Sequence, residues 1–412
     1  MKRKMLGIFL FLLSFSLYSF EPQDVVYENC KAPQPEQAIC EDFPLPNSLA
    51  KNIILFIGDG MGINQIYTAR VYQNGPDQPL ELEQFEEKNL IRTCSLTGIT
   101  DSAAAGTALA TGHKTLNTRI GVDPKGNSLT NILEIAQLEG KSVGLVTTDQ
   151  VVGATPATFA LHEPNRYNFS LLAQDYLSAR PDLLLGGGRR WFLRKKRGGS
   201  LIKKAEQIGY LVVFDRKQLK AVPEETERLL GLFAPREMTY VFDRTPETSE
   251  PELKEMTQTA LKLLSQNPEG FFLMVEGARI DHACHRTDLK RSIYEVLSLN
   301  QAVIIAKDFQ KTHPDTLILL TADHETGGLE VIPGQYEKGE LVQVKWSRKI
   351  LPLVSAFHSS QRVPLFGSGP GAELVPKADD NTEVFCIMLR SFGLNPAEEK
   401  EEEKCPCEEF GN

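Results

Sequence analysis

Short, nearly unbroken apolar runs separated by longer amphipathic stretches set the rhythm of this chain. The first run is 52–57, Asn-Ile-Ile-Leu-Phe-Ile. Apolar residues at successive rather than alternate positions predict a strand covered on both faces. It ends in Gly58-Asp59-Gly60-Met61-Gly62, and a helical segment through 67–70 follows. The same unit returns along the chain. A helix-like 131–136 precedes the run 142–147, a helical 251–266 precedes 271–275, and a long helical 288–309 precedes 316–320. A late strand at 363–366 and a last helix at 382–390 close the series. Apolar strands alternating with amphipathic helices predict an α/β fold, a three-layer α/β/α sandwich around a large, mostly parallel sheet. In such sheets ligands bind just beyond the carboxyl ends of the strands.

Other segments lie outside this rhythm. Residues 1–20 carry Lys2, Arg3 and Lys4, an apolar run from Met5 and small residues near Ser19, the layout of a cleaved export signal. An uncleaved anchor is the alternative, because no A-x-A site is present. Residues 21–50, rich in Pro, Gln and Glu, predict an extended lead-in, 51–392 a catalytic domain, and 393–412 an acidic, solvent-exposed tail. Gly186-Gly187-Gly188 lacks the Walker lysine and serine and reads as a tight turn after a strand at 182–185, while the basic stretch 190–204 reads as solvated surface.

Composition narrows the partners. Hydrophobic residues make up 41% of 412, enough for a substantial core, and 45 basic against 54 acidic side chains leave a net charge of −9 without a basic stripe. Nucleic acid is not an expected partner. Seven cysteines fit an oxidising compartment. Cys30 with Cys40, and Cys405 with Cys407, are the natural bridge candidates, and the odd count leaves at least one thiol unpaired within the chain.

Ligand-type residues collect at the predicted strand ends. Asp59 follows the first strand. Asp101-Ser102 opens an Ala-rich helix, where free N–H groups and the helix dipole favour an oxyanion or phosphate at Ser102. Thr155 follows the 142–147 strand; Glu276, Asp281, His282 and His285 follow 271–275; Asp323 and His324 follow 316–320; His358 precedes 363–366. Asp281 and His285, spaced i, i+4, share one helix face as metal ligands need. So many carboxylates and imidazoles at one sheet edge imply cations, with a mixed His and carboxylate set for zinc and an oxygen-rich set for magnesium.

These motifs resemble the alkaline phosphatases: FIGDGMG at 56–62, TDSAAAGTALATG at 100–112, ATPA at 154–157, the stretch from His162 to Arg166, VEGARIDHACH at 275–285, LTADHETGG at 320–328, and His358 ahead of VPLFGSGPGA. The resemblance runs from about Lys51 to Arg390 and implies hydrolysis of small phosphate monoesters through a phosphoserine on Ser102. It implies one zinc on Asp281, His285 and His358, a second on Asp59, Asp323 and His324 in contact with Ser102, and a third metal, usually magnesium, on Asp59, Thr155 and Glu276. It further implies that Arg166 clamps phosphate, Asp101 positions Arg166, and His282 stands near phosphate and metal. Family members are commonly homodimers, and export to the periplasm or exterior is expected.

One departure stands out. The family often has Asp or His where this chain has Gly153, which leaves the third metal open between magnesium, zinc and a weakly held ion. Rival activities on the same fold fit less well. A sulfatase needs a C/S-x-P-x-R pattern that the Ser102 segment lacks, and a diesterase generally lacks the counterparts of Arg166, Thr155 and Glu276. A secreted phosphate- or metal-binding protein without catalysis is the alternative from another class.

Overall fold

The computed structural model describes residues 19–32, 34, 36–193, 200–350 and 355–395, with 349 and 350 described for their backbone only. Most of the expected export signal, the tail from 396 onward, and Cys405 and Cys407 lie outside the described residues.

A nine-stranded sheet forms the middle layer. Its strands are β1 (Asn52–Ile57), β2 (Glu87–Ile91), β3 (Ser142–Gln150), β4 (Leu183–Gly187), β5 (Leu211–Val213), β6 (Leu229–Leu232), β7 (Phe271–Glu276), β8 (Thr316–Thr321) and β9 (Val363–Ser368). They lie in the order β2-β9-β8-β1-β7-β3-β4-β6-β5. From β8 through β5 all pairings are parallel, and only β9 runs antiparallel to its neighbours β8 and β2. Every residue of β1, β7 and β8 is buried, which is why their sequences are apolar at consecutive positions.

Helices cover both faces. Leu253–Leu264, Leu289–Thr312 and Ile63–Asn74 pack together on one side, and Ser102–Thr111, Ala154–Thr158 and Thr382–Ser391 on the other. The Leu253–Leu264 helix turns Leu253, Met256, Ala260, Leu261 and Leu264 to the core, the stripe its 3.6-residue period dictates. Ser102–Thr111 is buried along its whole length and approaches Ala154–Thr158 closely at Gly106. A Cβ there would lie 2.5 Å from Thr158 Oγ1, so only glycine permits the contact.

The lead-in is extended apart from two short 3-10 turns, and its cysteines correct the expected pairing. Cys30 bonds Cys94 and Cys40 bonds Cys386. Because the segment stretches over the surface, its two sulfurs meet different elements rather than each other. Cys284 is the free, buried thiol among the described cysteines. The basic stretch is also only partly solvated. Trp191, Phe192 and Ile202 are buried, because the apolar residues between the basic ones sit on the inner sides of the helices Arg189–Leu193 and Leu201–Gln207.

Candidate active site

The carboxyl ends of β1, β7, β3 and β8 converge on one cluster. Asp59 follows β1 in a loop that Gly60 turns at φ +72°; a Cβ there would also meet the Asp281 backbone at 2.9 Å. The Gly60 N–H donates to Asp323 Oδ1 at 3.1 Å, tying the loop after β1 to the loop after β8. Glu276 ends β7, and Asp281 and His285 project from the short helix Arg279–His285 just beyond it.

Two groups of three potential ligands result, Asp281 with His285 and His358, and Asp59 with Asp323 and His324, each with ligand atoms within 4.8 Å of one another. In the first, His285 Nδ1 donates to the Ala356 carbonyl at 2.6 Å and His358 Nδ1 to the Thr100 carbonyl at 2.8 Å. Those bonds leave the two Nε2 atoms as acceptors, yet they face each other at 3.1 Å. Asp281 Oδ1 lies 3.3 Å from one and 3.7 Å from the other. Paired lone pairs and a carboxylate at such range fit a shared cation, and imidazole with carboxylate is a zinc-type donor set.

The second group is wholly buried. His324 Nε2 lies 3.3 Å from Asp323 Oδ2, 3.8 Å from Asp59 Oδ1 and 3.3 Å from Ser102 Oγ. Asp59 Oδ1 and Asp323 Oδ2 have no hydrogen-bond partner, and neither has Thr155 Oγ1 nearby. Two orphaned buried carboxylate oxygens around one imidazole nitrogen are costly unless a cation pairs them, so the residues fit the metals expected of them.

The electrostatics agree. Burial, then the charge of Asp323, raises Asp59 far above the usual carboxylate range; burial and Asp281 raise Asp323 to about 7; burial and Asp149 raise Glu276 to about 8. Burial would raise Asp281 too, but the surrounding His285, His358 and His324 hold it low. Burial, reinforced by His358, drives His324 down, so it stays neutral and available as a ligand.

Ser102 is the first residue of its helix, capped by Asp101, whose Oδ1 accepts from Ala104 N–H at 2.9 Å. The other oxygen, Oδ2, accepts from Arg166 at 2.9 Å and from Thr118 N–H at 3.0 Å. The Arg166 N–H donates to the Thr118 carbonyl at 2.9 Å, closing a ring of three residues around the guanidinium. Thr118 holds φ +73°, a conformation uncommon outside glycine, and sequence reasoning missed it because nothing in the segment marks a threonine for that role. His162 braces the same loop between Glu134 at 2.8 Å and the Gly121 carbonyl at 2.7 Å.

Three further contributors escaped the sequence. Thr147 donates to Glu276 across the β3–β7 pairing. Thr326 donates to Asp281 at 2.5 Å, and the buried Glu325 accepts from Gln65, Gly328 and Leu329, bracing the loop after His324. Glu325 and Thr326 stand in the polar run that follows the buried strand β8, a signal that could have identified them. His282 belongs to neither group; its Nδ1 accepts from Arg279 at 2.8 Å.

A family model described as Alkaline phosphatase matches residues 50–347. Alkaline phosphatase 4 of Bacillus subtilis is 41% identical over 294 residues, 68% of this chain and 62% of its own length. The match thus spans somewhat under two thirds of that relative. Alkaline phosphatase H of Pseudomonas aeruginosa is 32% identical over 413 residues, 85% of this chain and 87% of its own. Among solved structures, alkaline phosphatase from the Antarctic bacterium TAB5 superposes with a TM-score of 0.75 at 28% identity, over 84% of this chain and 100% of the other. Ordered motifs, a shared mixed sheet and extended sequence identity leave one conclusion: this chain belongs to the alkaline phosphatase family.

Proposed function

We propose that the protein is a metal-dependent phosphoric monoester hydrolase that works through a phosphoserine on Ser102. The observation that carries this reading is the position of Ser102 Oγ, at the N-terminus of a buried helix and 3.3 Å from His324, beside two convergent ligand groups. Asp281, His285 and His358 would hold one zinc, Asp59, Asp323 and His324 a second, and Asp59, Thr155 and Glu276 would contribute to a third position, assigned to magnesium. Metals bound there supply Lewis-acid stabilisation of phosphoryl oxygens and lower the pKa of hydroxyl and water.

The chain's own groups would do the rest. Ser102 Oγ gives its proton to solvent and attacks phosphorus as the bond to the ester oxygen breaks on the opposite side, and the departing oxygen takes up a proton from water to leave as the alcohol. Arg166, oriented by Asp101, spans two of the non-bridging oxygens with its planar fork as charge spreads over them. The helix N–H groups behind Ser102 add positive potential at the same point. A water then attacks the phosphoserine from the vacated side, releasing inorganic phosphate and restoring the hydroxyl. His282, anchored on Arg279, would tune the approach to phosphate.

Residues 51–392 form the proposed catalytic unit, with an export signal ahead of it and an exported, dimeric mature protein. Among the described residues no helix is long and apolar enough to cross a membrane. The test compares an aryl phosphate monoester with the matching diester at mildly alkaline pH, before chelation, after it, and after zinc and magnesium are restored. Monoester cleavage that chelation abolishes and metals restore is the expected result. Dominant diester cleavage, or no metal-dependent cleavage of either, would overturn the proposal.

A further inference from the structure

At the proposed third cation position, residue 153 is a glycine and contributes no side chain. Gly153 has φ −59° and ψ 161°, a conformation open to any residue, so glycine is not required by the backbone there. It is required by space. A Cβ at 153 would lie 2.4 Å from Asp149 Oδ2, 2.9 Å from the Gln150 carbonyl oxygen and 3.2 Å from Asp149 Cγ. The carboxylate of Asp149 therefore fills the volume that a side chain at 153 would enter, and the two exclude each other.

Local structure brings Asp149 to this place. The β3–β4 pairing shifts register between Val146 and Gln150, and that bulge contains Asp149. Bulges re-aim side chains at the ends of strands. The Asp149 N–H donates to Thr147 Oγ1 at 2.8 Å, and the Thr147 hydroxyl donates in turn to Glu276 Oε2. Asp149 is thus fixed through one hydroxyl to the proposed ligand Glu276, whose carboxylate also feels its charge. The Thr155 hydroxyl sits beside Glu276, on a residue 1% exposed, and has no hydrogen-bond partner. The nearby Asp59 Oδ1 is likewise buried and unpaired.

We propose that Asp149 serves as a carboxylate ligand of a hard divalent cation together with Thr155 and Glu276, taking over from the side chain absent at Gly153. The donor set is all oxygen, the chemistry of magnesium rather than of a thiolate or imidazole site. This inference rests on the metal-dependent reading above and adds a residue to it.

The test uses full-length protein, chelated, reloaded with zinc, and titrated with magnesium while bound metal is counted by elemental analysis and melting temperature is followed. Wild type should take up zinc and then one magnesium. Asp149→Asn should keep its zinc and its metal-free melting temperature but bind magnesium about 10-fold or more weakly. Asp149→Ala with Gly153→Asp should regain part of the magnesium affinity, since a carboxylate returns to the same space from the other position once the Gln150 carbonyl, 2.9 Å from that Cβ, gives way. If Asp149→Asn binds magnesium as wild type does, or if zinc-loaded wild type takes up no magnesium, the assignment of Asp149 fails while the zinc reading stands. Wild type that takes up no zinc would overturn the metal-dependent reading itself, and this inference with it.

Discussion

At the scale of single residues, Arg166 shows how much depends on geometry rather than charge. Its guanidinium donates to Asp101 and its backbone N–H to the Thr118 carbonyl, which together hold the side chain in place. Arg166→Lys keeps the charge and loses the paired donors, and we expect kcat/KM for a phosphate monoester to fall about 10- to 100-fold, measured by steady-state kinetics. An unchanged value would mean that Arg166 does not span two oxygens. The buried carboxylates make a second expectation, for the chelated protein. Glu276 near 8 and Asp323 near 7 lie well above their unfolded values of about 4, so folding takes up protons. The stability they contribute is complete below about pH 4 and is lost as pH rises through 7 to 8. His324 and His358 are held low, by burial first, and above about pH 7.5 they are neutral both folded and unfolded, leaving the carboxylates to set the slope there. Metal-free protein should therefore melt lower at about pH 9 than at about pH 7.5 in calorimetry, and added zinc should raise the melting temperature more at the higher pH. A metal-free melting temperature that climbs over this interval would contradict the assignment.

At the scale of elements, the helix opening at Ser102 is placed by its contact with Ala154–Thr158 through Gly106. Gly106→Val would push the two apart, and overpacking of this kind costs about 1–3 kcal/mol. Denaturant unfolding should register that loss, with a larger fall in activity than in zinc content, because Ser102 and Thr155 would shift relative to each other. The strands were legible in the sequence because β1, β7 and β8 are buried on both faces and confine their polar residues to their ends. Their chemistry was legible because carboxylates and imidazoles follow each of them directly. Thr118 and Asp149 were not, for physical reasons. Thr118 acts through its backbone, and Asp149 reaches its place through a bulge that no periodicity announces.

For the whole molecule, the disulfides carry a different lesson. Proximity in sequence suggested Cys30 with Cys40, but the extended lead-in spreads them to Cys94, in the loop leading to Ser102, and to Cys386, in a helix packed on the Ser102 helix. The second link closes a separation of 346 residues. Replacing both of its cysteines by serine should lower stability by about 2–5 kcal/mol in denaturant unfolding and leave metal binding intact. A negligible loss would mean that the lead-in stays docked without it. The role of Ser102 as nucleophile is decided by acid-quenching the metal-loaded enzyme during turnover of a phosphate monoester and mapping covalent phosphate by mass spectrometry. Phosphate on Ser102, absent when the enzyme is Ser102→Ala or has been chelated, is the expected result. Full turnover by Ser102→Ala, or phosphate trapped on a different residue, would show that Ser102 is not the nucleophile.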